Sequence, residues 1–159
     1  MAGLSEFATG RHVAWMTLVD VFTKTKRSAV MASIRHRGNR STERAFAGLL
    51  RARHVSGWAL HCRAIAGRPD FYFAERRIAV FIDGCFWHGC PKCFHAPRQN
   101  APFWAAKIGR NRKRDQKVTR CLRRQGVKVI RLWEHDLEKR TRKVRTVLEL
   151  LHTANRSSA

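Results

Sequence analysis

The segment from Asp83 to Cys93 constrains the fold more than any other stretch of the sequence. Cys90 and Cys93 form a C-x-x-C pair, and Cys85 precedes Cys90 by five residues. Three thiolates this close suit a tetrahedral Zn²⁺ ion that takes one further ligand. Buried free cysteines are the alternative, and a redox dithiol is disfavoured because no thioredoxin-like βαβ pattern surrounds the pair. We therefore expect a short loop stapled by a metal.

Two large rings and an imidazole, those of Phe86, Trp87 and His88, lie between the cysteines. A loop held by a metal presents such rings outward at low entropic cost, and apolar wedges of this kind enter DNA base steps and unstack them. Core packing is the alternative for the two rings. The chemistry of His88 suits either a general base acting on water or a zinc ligand.

The charge of the chain favours a polyanionic partner. Thirty-three Lys and Arg residues against eleven Asp and Glu residues give a net charge of +22. A basic surface that neutralises phosphates gains affinity through counterion release, so nucleic acid is the favoured partner over an anionic membrane. The longest apolar stretch, residues 13–22, is too short to span a bilayer, and no secretory signal is evident. Five cysteines, an odd count, favour a reducing compartment.

The length of 159 residues predicts a single domain. We predict a flexible basic arm over residues 1–26, whose true start is either Met1 or Met16, a domain over residues 27–152 and a disordered tail over residues 153–159. Strands are predicted over residues 58–62, 70–73, 78–82 and 127–133, and helices from Ser41 or Thr42, over residues 102–125 and over residues 137–151. This order predicts an α+β fold, a small mixed β-sheet flanked by helices.

Acidic residues on buried faces are the remaining candidates for chemistry. The long predicted helix has one stripe of residues at spacings of three and four: Trp104, Ile108, Asn111, Asp115, Val118 and Leu122. Asp115 would be costly to bury unpaired, so it either pairs with an arginine or works in a site. Glu43 lies on the side of its helix that carries Leu50, unless it is an exposed capping residue. Asp70 follows a Gly-Arg-Pro turn, either as a turn residue or as a Mg²⁺ ligand at a strand end.

The motifs occur in an order that resembles a known family. They are Arg27-Ser28-x-x-Met31-x-x-Ile34-Arg35, Glu43, Gly67-Arg68-Pro69-Asp70, Asp83-Gly84-Cys85-Phe86-Trp87-His88-Gly89-Cys90-Pro91, Phe103-Trp104-x-x-Lys107-Ile108-x-x-Asn111-x-x-Arg114-Asp115 and Trp133-Glu134-His135. From about residue 25 to residue 138 the chain resembles the very-short-patch repair (Vsr) endonucleases. The resemblance implies a restriction-endonuclease-like fold and a bacterial, cytoplasmic protein at the nucleoid. It also implies nicking of one strand 5′ to the T of a T:G mismatch left by deamination of 5-methylcytosine.

The resemblance implies catalytic roles for Asp70, His88, Glu43 and Asp115. Asp70 would bind catalytic Mg²⁺ together with the backbone carbonyl of Ile82, and His88 would activate the attacking water. Glu43 and Asp115 would support the metal–water cluster or orient His88. Asp83 lies at a position that varies in the family. Residues 80–82 lack the acid-x-Lys pair of restriction enzymes, so His88 must take the basic role.

The resemblance also implies a structural Zn²⁺ site and a DNA-contacting surface. The zinc ligands would be Cys85, Cys90, Cys93 and His135, with Cys93 where the family often has His. The rings that intercalate would be those of Phe86, Trp87 and Trp104. Residues expected to contact DNA are Arg27, Arg35, Arg68, Lys107 and Asn111.

The expected partner is double-stranded DNA with a T:G mismatch, bound by a monomer, and mismatch-repair factors are candidate protein partners. One alternative is a zinc-containing nucleic-acid-binding protein without catalysis. Another is a related nuclease with a different DNA trigger. The nuclease hypothesis requires Asp70 and His88, which are distant along the chain, to share one cleft.

Overall fold

The structure, a computed structural model, describes residues 42–156 of the chain. The predicted arm, Arg27, Arg35 and the capping candidate Ser41 lie outside the described residues, as do residues 157–159. The elements in chain order are α1 (residues 42–52), β1 (Trp58–Leu60), β2 (Phe71–Phe73), β3 (Ile78–Asp83), α2 (Ala101–Arg124), β4 (Lys128–Trp133), α3 (Glu134–Glu138) and α4 (Arg142–Arg156).

The four strands form one mixed sheet in the order β1-β2-β3-β4. The first three are antiparallel neighbours, and a four-residue turn joins β2 to β3 as the sequence predicted. β4 pairs with β3 in parallel, in a register that sets Phe81 opposite Arg131 and Asp83 opposite Trp133. The long helix α2 is the crossover between these two parallel strands. The predicted α+β architecture, a small mixed sheet flanked by helices, is confirmed.

Alternating side chains of β3 bury on opposite faces of the sheet, because successive residues of a strand point to opposite sides. Ile78 and Val80 pack into a core that α1 and α4 cover. Ala79 and Phe81 pack into a second core, against Leu122 of α2. The sheet therefore lies between two helical layers, with α2 covering the face on which Asp83 ends the strand.

The C-terminal helix differs from its prediction. A single helix over residues 137–151 was expected, but the chain forms α3 and α4 with a break between them. Asp136 explains the break: its carboxylate accepts hydrogen bonds from the Thr141 hydroxyl and the Trp133 N–H, both at 3.1 Å, and Arg140 takes a φ of 44°. The buried stripe predicted for this region lies on α4, which continues to Arg156: Val144, Val147, Leu148 and Leu151.

The remaining helices of the described region agree closely with the sequence. The stripe predicted for α2 is buried or half-buried along its whole length, from Trp104 to Leu122. Across residues 42–156, none of the helices combines the length and the apolar character that crossing a bilayer requires.

Candidate active site

A cavity of about 540 Å³ opens at the carboxyl end of β3, between the loop that follows this strand and α2. Asp70 and His88 both line it, so these two residues, which are distant along the chain, share one cleft. Asp83 and Asp115 are the other acids of its wall. Four cations also line the cavity: Arg68, Lys107, Arg114 and Arg131.

Asp70 lies at the start of β2, where the strand brings it beside the end of β3. Its Oδ2 accepts a hydrogen bond of 2.6 Å from the Ile82 N–H. Burial raises the pKa of the Asp70 carboxyl to about 6, although this hydrogen bond opposes the shift; the charge of Glu43 adds to it. The backbone of Ile82 thus contacts Asp70 through its N–H, and the role of its carbonyl as a Mg²⁺ ligand stays a prediction.

Glu43 of α1 and His61 stand beside Asp70. The Glu43 side chain is only 15% exposed, and its Oε2 lies 3.1 Å from Nε2 of His61. Glu43 is thus on the inner side of its helix rather than an exposed capping residue. Ligand atoms of Glu43, His61 and Asp70 all lie within 4.8 Å of one another, a group that could hold a metal ion. Sequence reasoning missed His61, because a histidine just after a three-residue strand follows no recognisable pattern.

His88 is held by acids on the other side of the cavity. Its Nδ1 lies 2.5 Å from Oδ2 of Asp115 and 3.6 Å from Oδ1 of Asp83. Burial opposes ionisation of Asp115, but the hydrogen bond with His88 and the charge of Arg131 hold the pKa of its carboxyl below the usual range. Asp115 therefore both pairs with an arginine and contacts the candidate base.

Sequence reasoning missed Arg131 and the part that Asp83 plays. The Arg131 guanidinium binds both oxygens of Asp83, at 2.7 and 2.5 Å, and lies 3.2 Å from Oδ1 of Asp115. Burial works against its charge, yet these carboxylates raise the pKa of Arg131 above its ordinary value. The available signal was a cation between apolar residues in the middle of a strand, β4.

Cys85, Cys90, Cys93 and His135 cluster behind the cavity. The three Sγ atoms lie 3.2, 3.7 and 3.3 Å from Nδ1 of His135. Metal–ligand bonds of about 2.3 Å to sulfur and 2.0 Å to nitrogen separate two ligands of one tetrahedral ion by roughly 3.5 Å. Burial raises the pKa of the Cys85 thiol to about 12, and the neighbouring thiols add to that shift. The donor set therefore fits one shared metal ion.

The loop that carries His88 is fixed by its own backbone and by α2. The Cys90 N–H donates to the Cys85 carbonyl at 2.8 Å, and Gly89 turns the chain with a φ of 63°. Arg112 of α2 donates to the carbonyls of His88 and Gly89. A Cβ at position 89 would lie 2.8 Å from Cγ2 of Ile108 and 2.7 Å from a nitrogen of that guanidinium, and the positive φ adds strain, so glycine is strongly favoured there.

Comparison with known proteins identifies the family. A family model described as DNA mismatch endonuclease Vsr matches residues 19–93. The type II nicking enzyme V.NmeDIP of Neisseria meningitidis serogroup C is 37% identical over an alignment of 133 positions, which covers 77% of this chain and 83% of that protein. The DNA mismatch endonuclease Vsr of Escherichia coli is 34% identical over 119 residues, 74% of each chain. The chain belongs to the Vsr family.

A further relative matches this Vsr-family chain over a shorter range. The type II nicking enzyme V.NaeI of Lentzea aerocolonigenes is 44% identical over 85 residues, which are 54% of this chain and half of that protein's length. The chain is a Vsr-family DNA endonuclease, and DNA is its partner.

Five aromatic rings contact one another beside the cavity, which one of them, Trp87, lines. We call these rings the aromatic cluster: Phe86, Trp87, Phe94, Phe103 and Trp104. Ring centroids of Phe86 and Trp104 lie 5.2 Å apart, and those of Trp87 and Trp104 lie 6.1 Å apart. The three rings predicted to intercalate thus lie together, half-buried. Phe103, which sequence reasoning did not assign, is the most exposed of them at 56%.

Two of the residues predicted to contact DNA, Arg68 and Lys107, line the cavity. The third described one, Asn111, also lines it, but its side-chain amide donates to the Trp87 carbonyl at 2.8 Å. Asn111 therefore fixes the backbone of the loop beneath the aromatic cluster.

Proposed function

We propose that this Vsr-family protein nicks one strand of duplex DNA 5′ to the T of a T:G mismatch, by Mg²⁺-dependent hydrolysis of a phosphodiester bond. The observation that carries the proposal is the shared cleft of Asp70 and His88, a half-buried acid and an imidazole held by acids, in a cavity that four cations line. Such a cavity suits a phosphate on which negative charge increases during reaction.

The residues around Asp70 fit a divalent cation. Glu43 and Asp70 offer carboxylate oxygens, the ligands that Mg²⁺ prefers. Burial and the charge of Glu43 disfavour the charge of Asp70, so a divalent cation bound there would stabilise the ionised carboxylate. When bound there, Mg²⁺ would stabilise the charge on the scissile phosphate and on the leaving 3′ oxygen.

His88 is the proposed general base. Because Asp115 holds its Nδ1, Nε2 is the nitrogen that would take a proton from the attacking water as the P–O3′ bond breaks. Asp115 would orient the ring and stabilise its protonated form, as a buried carboxylate does for a catalytic histidine. The 3′ oxygen would take a proton from solvent.

The cluster of Cys85, Cys90, Cys93 and His135 would bind a structural Zn²⁺ ion. A closed site of four protein ligands contributes folding energy rather than chemistry. Here it would fix both ends of the loop that carries Phe86, Trp87 and His88.

The aromatic cluster would supply selectivity for mismatched DNA. Unstacking a base step costs a few kcal/mol, and a weak pair such as T:G lowers that cost. We further propose that Arg68 and Lys107 contact DNA. Arg27 and Arg35, which lie outside the described residues, would do so as well. The proposed domain spans residues 27–152 and acts as a monomer in the bacterial nucleoid.

The test is a nicking assay on two duplexes that differ only by a T:G or a C:G pair at one position. With Mg²⁺, we expect a nick 5′ to the T of the mismatched duplex and none in the matched one. Asp70→Ala and His88→Ala should each abolish nicking while DNA binding persists, whereas the exposed residues Glu75 and His95 supply matched alanine controls that should cut normally.

Each alternative has a distinct outcome in this assay. A nucleic-acid-binding protein without catalysis would bind both duplexes and cut neither. A nuclease with another trigger would leave the T:G duplex intact but cut other distorted or sequence-specific DNA. Continued nicking by the Asp70→Ala variant would remove this residue from the mechanism.

A further inference from the structure

Arg131, one of the four cations that line the cavity, is held by contacts with several neighbouring side chains. It lies in the middle of β4, opposite Phe81 of β3, and its guanidinium sits 4.9 Å from the centre of the Phe81 ring. Two parallel hydrogen bonds join it to Asp83, a fork geometry that gives specificity as well as energy. A strand position, a ring and a bidentate partner together fix where this charge lies.

The carboxylates of Asp83 and Asp115 both approach the same nitrogen of the His88 ring. Nδ1 lies 2.5 Å from Asp115 and 3.6 Å from Asp83. Ligand atoms of Asp83, His88 and Asp115 lie within 4.8 Å of one another, close enough to chelate a cation. A carboxylate pair this close repels unless a positive charge lies between its members.

The Arg131 guanidinium provides that charge. It engages both oxygens of Asp83 and also contacts Oδ1 of Asp115, which leaves Oδ2 of Asp115 for His88. Arg114 also approaches Asp115, at 3.9 Å, but its side chain is 64% exposed and its charge is therefore largely screened by water. Arg131 thus separates the roles of the two acids.

We propose, on the basis of the proposed function, that Arg131 is a positioning residue of the nicking reaction. It draws Asp83 away from His88, so that Asp115 alone holds Nδ1 and the ring keeps Nε2 toward the substrate. The Arg131 guanidinium also occupies the space between the carboxylates of Asp83 and Asp115 that a metal ion would need. The site for the divalent cation is therefore the Asp70 side of the cavity.

The first arm of the test is kinetic. Arg131→Met removes the charge at nearly constant length and should lower kcat on the T:G duplex about 10- to 100-fold, the range expected when a supporting partner of an active-site group is lost. KM should change little. Arg131→Lys keeps a positive charge but loses the bidentate hydrogen bond to Asp83, so its kcat should lie between those of the parent protein and of Arg131→Met. Arg77→Met is the matched control, because it removes a guanidinium that binds the Gln125 carbonyl at the far end of the sheet.

A second variant separates positioning from a loss of folding. If Arg131 acts by restraining Asp83, then Asp83→Asn in the Arg131→Met background should recover most of the lost kcat, because the competing charge is gone. Full activity of Arg131→Met, or a double variant no better than Arg131→Met alone, would overturn the proposal.

A third arm does not depend on nicking. Nitrogen NMR of the Mg²⁺-free, DNA-free protein should report the hydrogen bond between the His88 Nδ1–H and Asp115 through the Nδ1 chemical shift, and this signature should change in Arg131→Met and return in the double variant. An unchanged spectrum in Arg131→Met would contradict the positioning role. A parent protein that shows these spectra but never nicks the T:G duplex would instead contradict the proposed function.

Discussion

Burial of Asp70 raises the pKa of its carboxyl to about 6, against an ordinary value of 3.8. The folded protein therefore holds a proton at this residue in a pH range where the unfolded chain has released it. By linkage, the free energy of unfolding should fall as pH rises from about 4 to 6 and then level off. The ionised carboxylate, which a metal needs, is thus kept at some cost in stability.

The variant Asp70→Asn should separate this cost from activity. Its amide oxygen can still accept from the Ile82 N–H, but it carries no charge to bury. In metal-free buffer at pH 7.5 we expect a higher Tm than that of the parent protein, with the difference vanishing near pH 4, and no nicking at any pH. Thermal unfolding across this pH range is the measurement, and a lower Tm at pH 7.5 would contradict the explanation.

The loop after β3 carries three kinds of side chain for which we propose a function. They are the three thiols of the cysteine cluster, the rings of Phe86 and Trp87, and the imidazole of His88. Its shape depends on a close approach to α2 at Gly89, where a Cβ would lie 2.8 Å from Ile108 and 2.7 Å from Arg112. The positive φ of 63° is a second reason for glycine.

Gly89→Ala should therefore disturb the loop, whereas Gly109→Ala should not. Position 109 lies within α2 and a Cβ there has nothing within 4 Å, so alanine should stabilise the helix by up to about 1 kcal/mol. At position 89 we expect a loss of about 1–3 kcal/mol and slower nicking. Chemical denaturation of both variants measures the difference, and equal effects would show that the approach to α2 is unimportant.

Elements with strong local signals could be predicted from the sequence. The α2 stripe, the hairpin of β2 and β3 and strand β4 follow from periodicity and turn residues. The break between α3 and α4 could not, because it depends on Asp136 accepting hydrogen bonds from both sides of the gap. A single apolar spacing runs through that region and gives no sign of the interruption.

For the molecule as a whole, the sequence predicted which residues would form the site better than it predicted their contacts. Motif spacing indicated the three cysteines, and the resemblance to the Vsr family added Asp70, His88 and His135. His61, Asp83 and Arg131 acquire their positions from strand pairing: the parallel register of β3 and β4 brings Arg131 to Asp83 across 48 positions of sequence. Neither composition nor local pattern encodes such a register.

The cysteine cluster also connects distant parts of the chain, since His135 follows β4 and the thiols follow β3. Cys93→Ser should abolish stoichiometric zinc binding and lower the free energy of unfolding by on the order of 3–5 kcal/mol. Cys62→Ser is the control, because this free cysteine lies outside the cluster. Zinc content and circular dichroism test this, and a metal-free protein of unchanged stability would contradict a structural metal.

The parallel pairing of β4 has a consequence for biosynthesis. Arg131 and His135 come from the part of the polypeptide that leaves the ribosome after every other member of the cavity wall and of the thiol cluster. A nascent or prematurely terminated chain that lacks β4 and the residues after it contains Asp70 and His88 but lacks Arg131 and His135. The cavity wall and the thiol cluster therefore gain their last side chains only after β4 and the start of α3 have been synthesised.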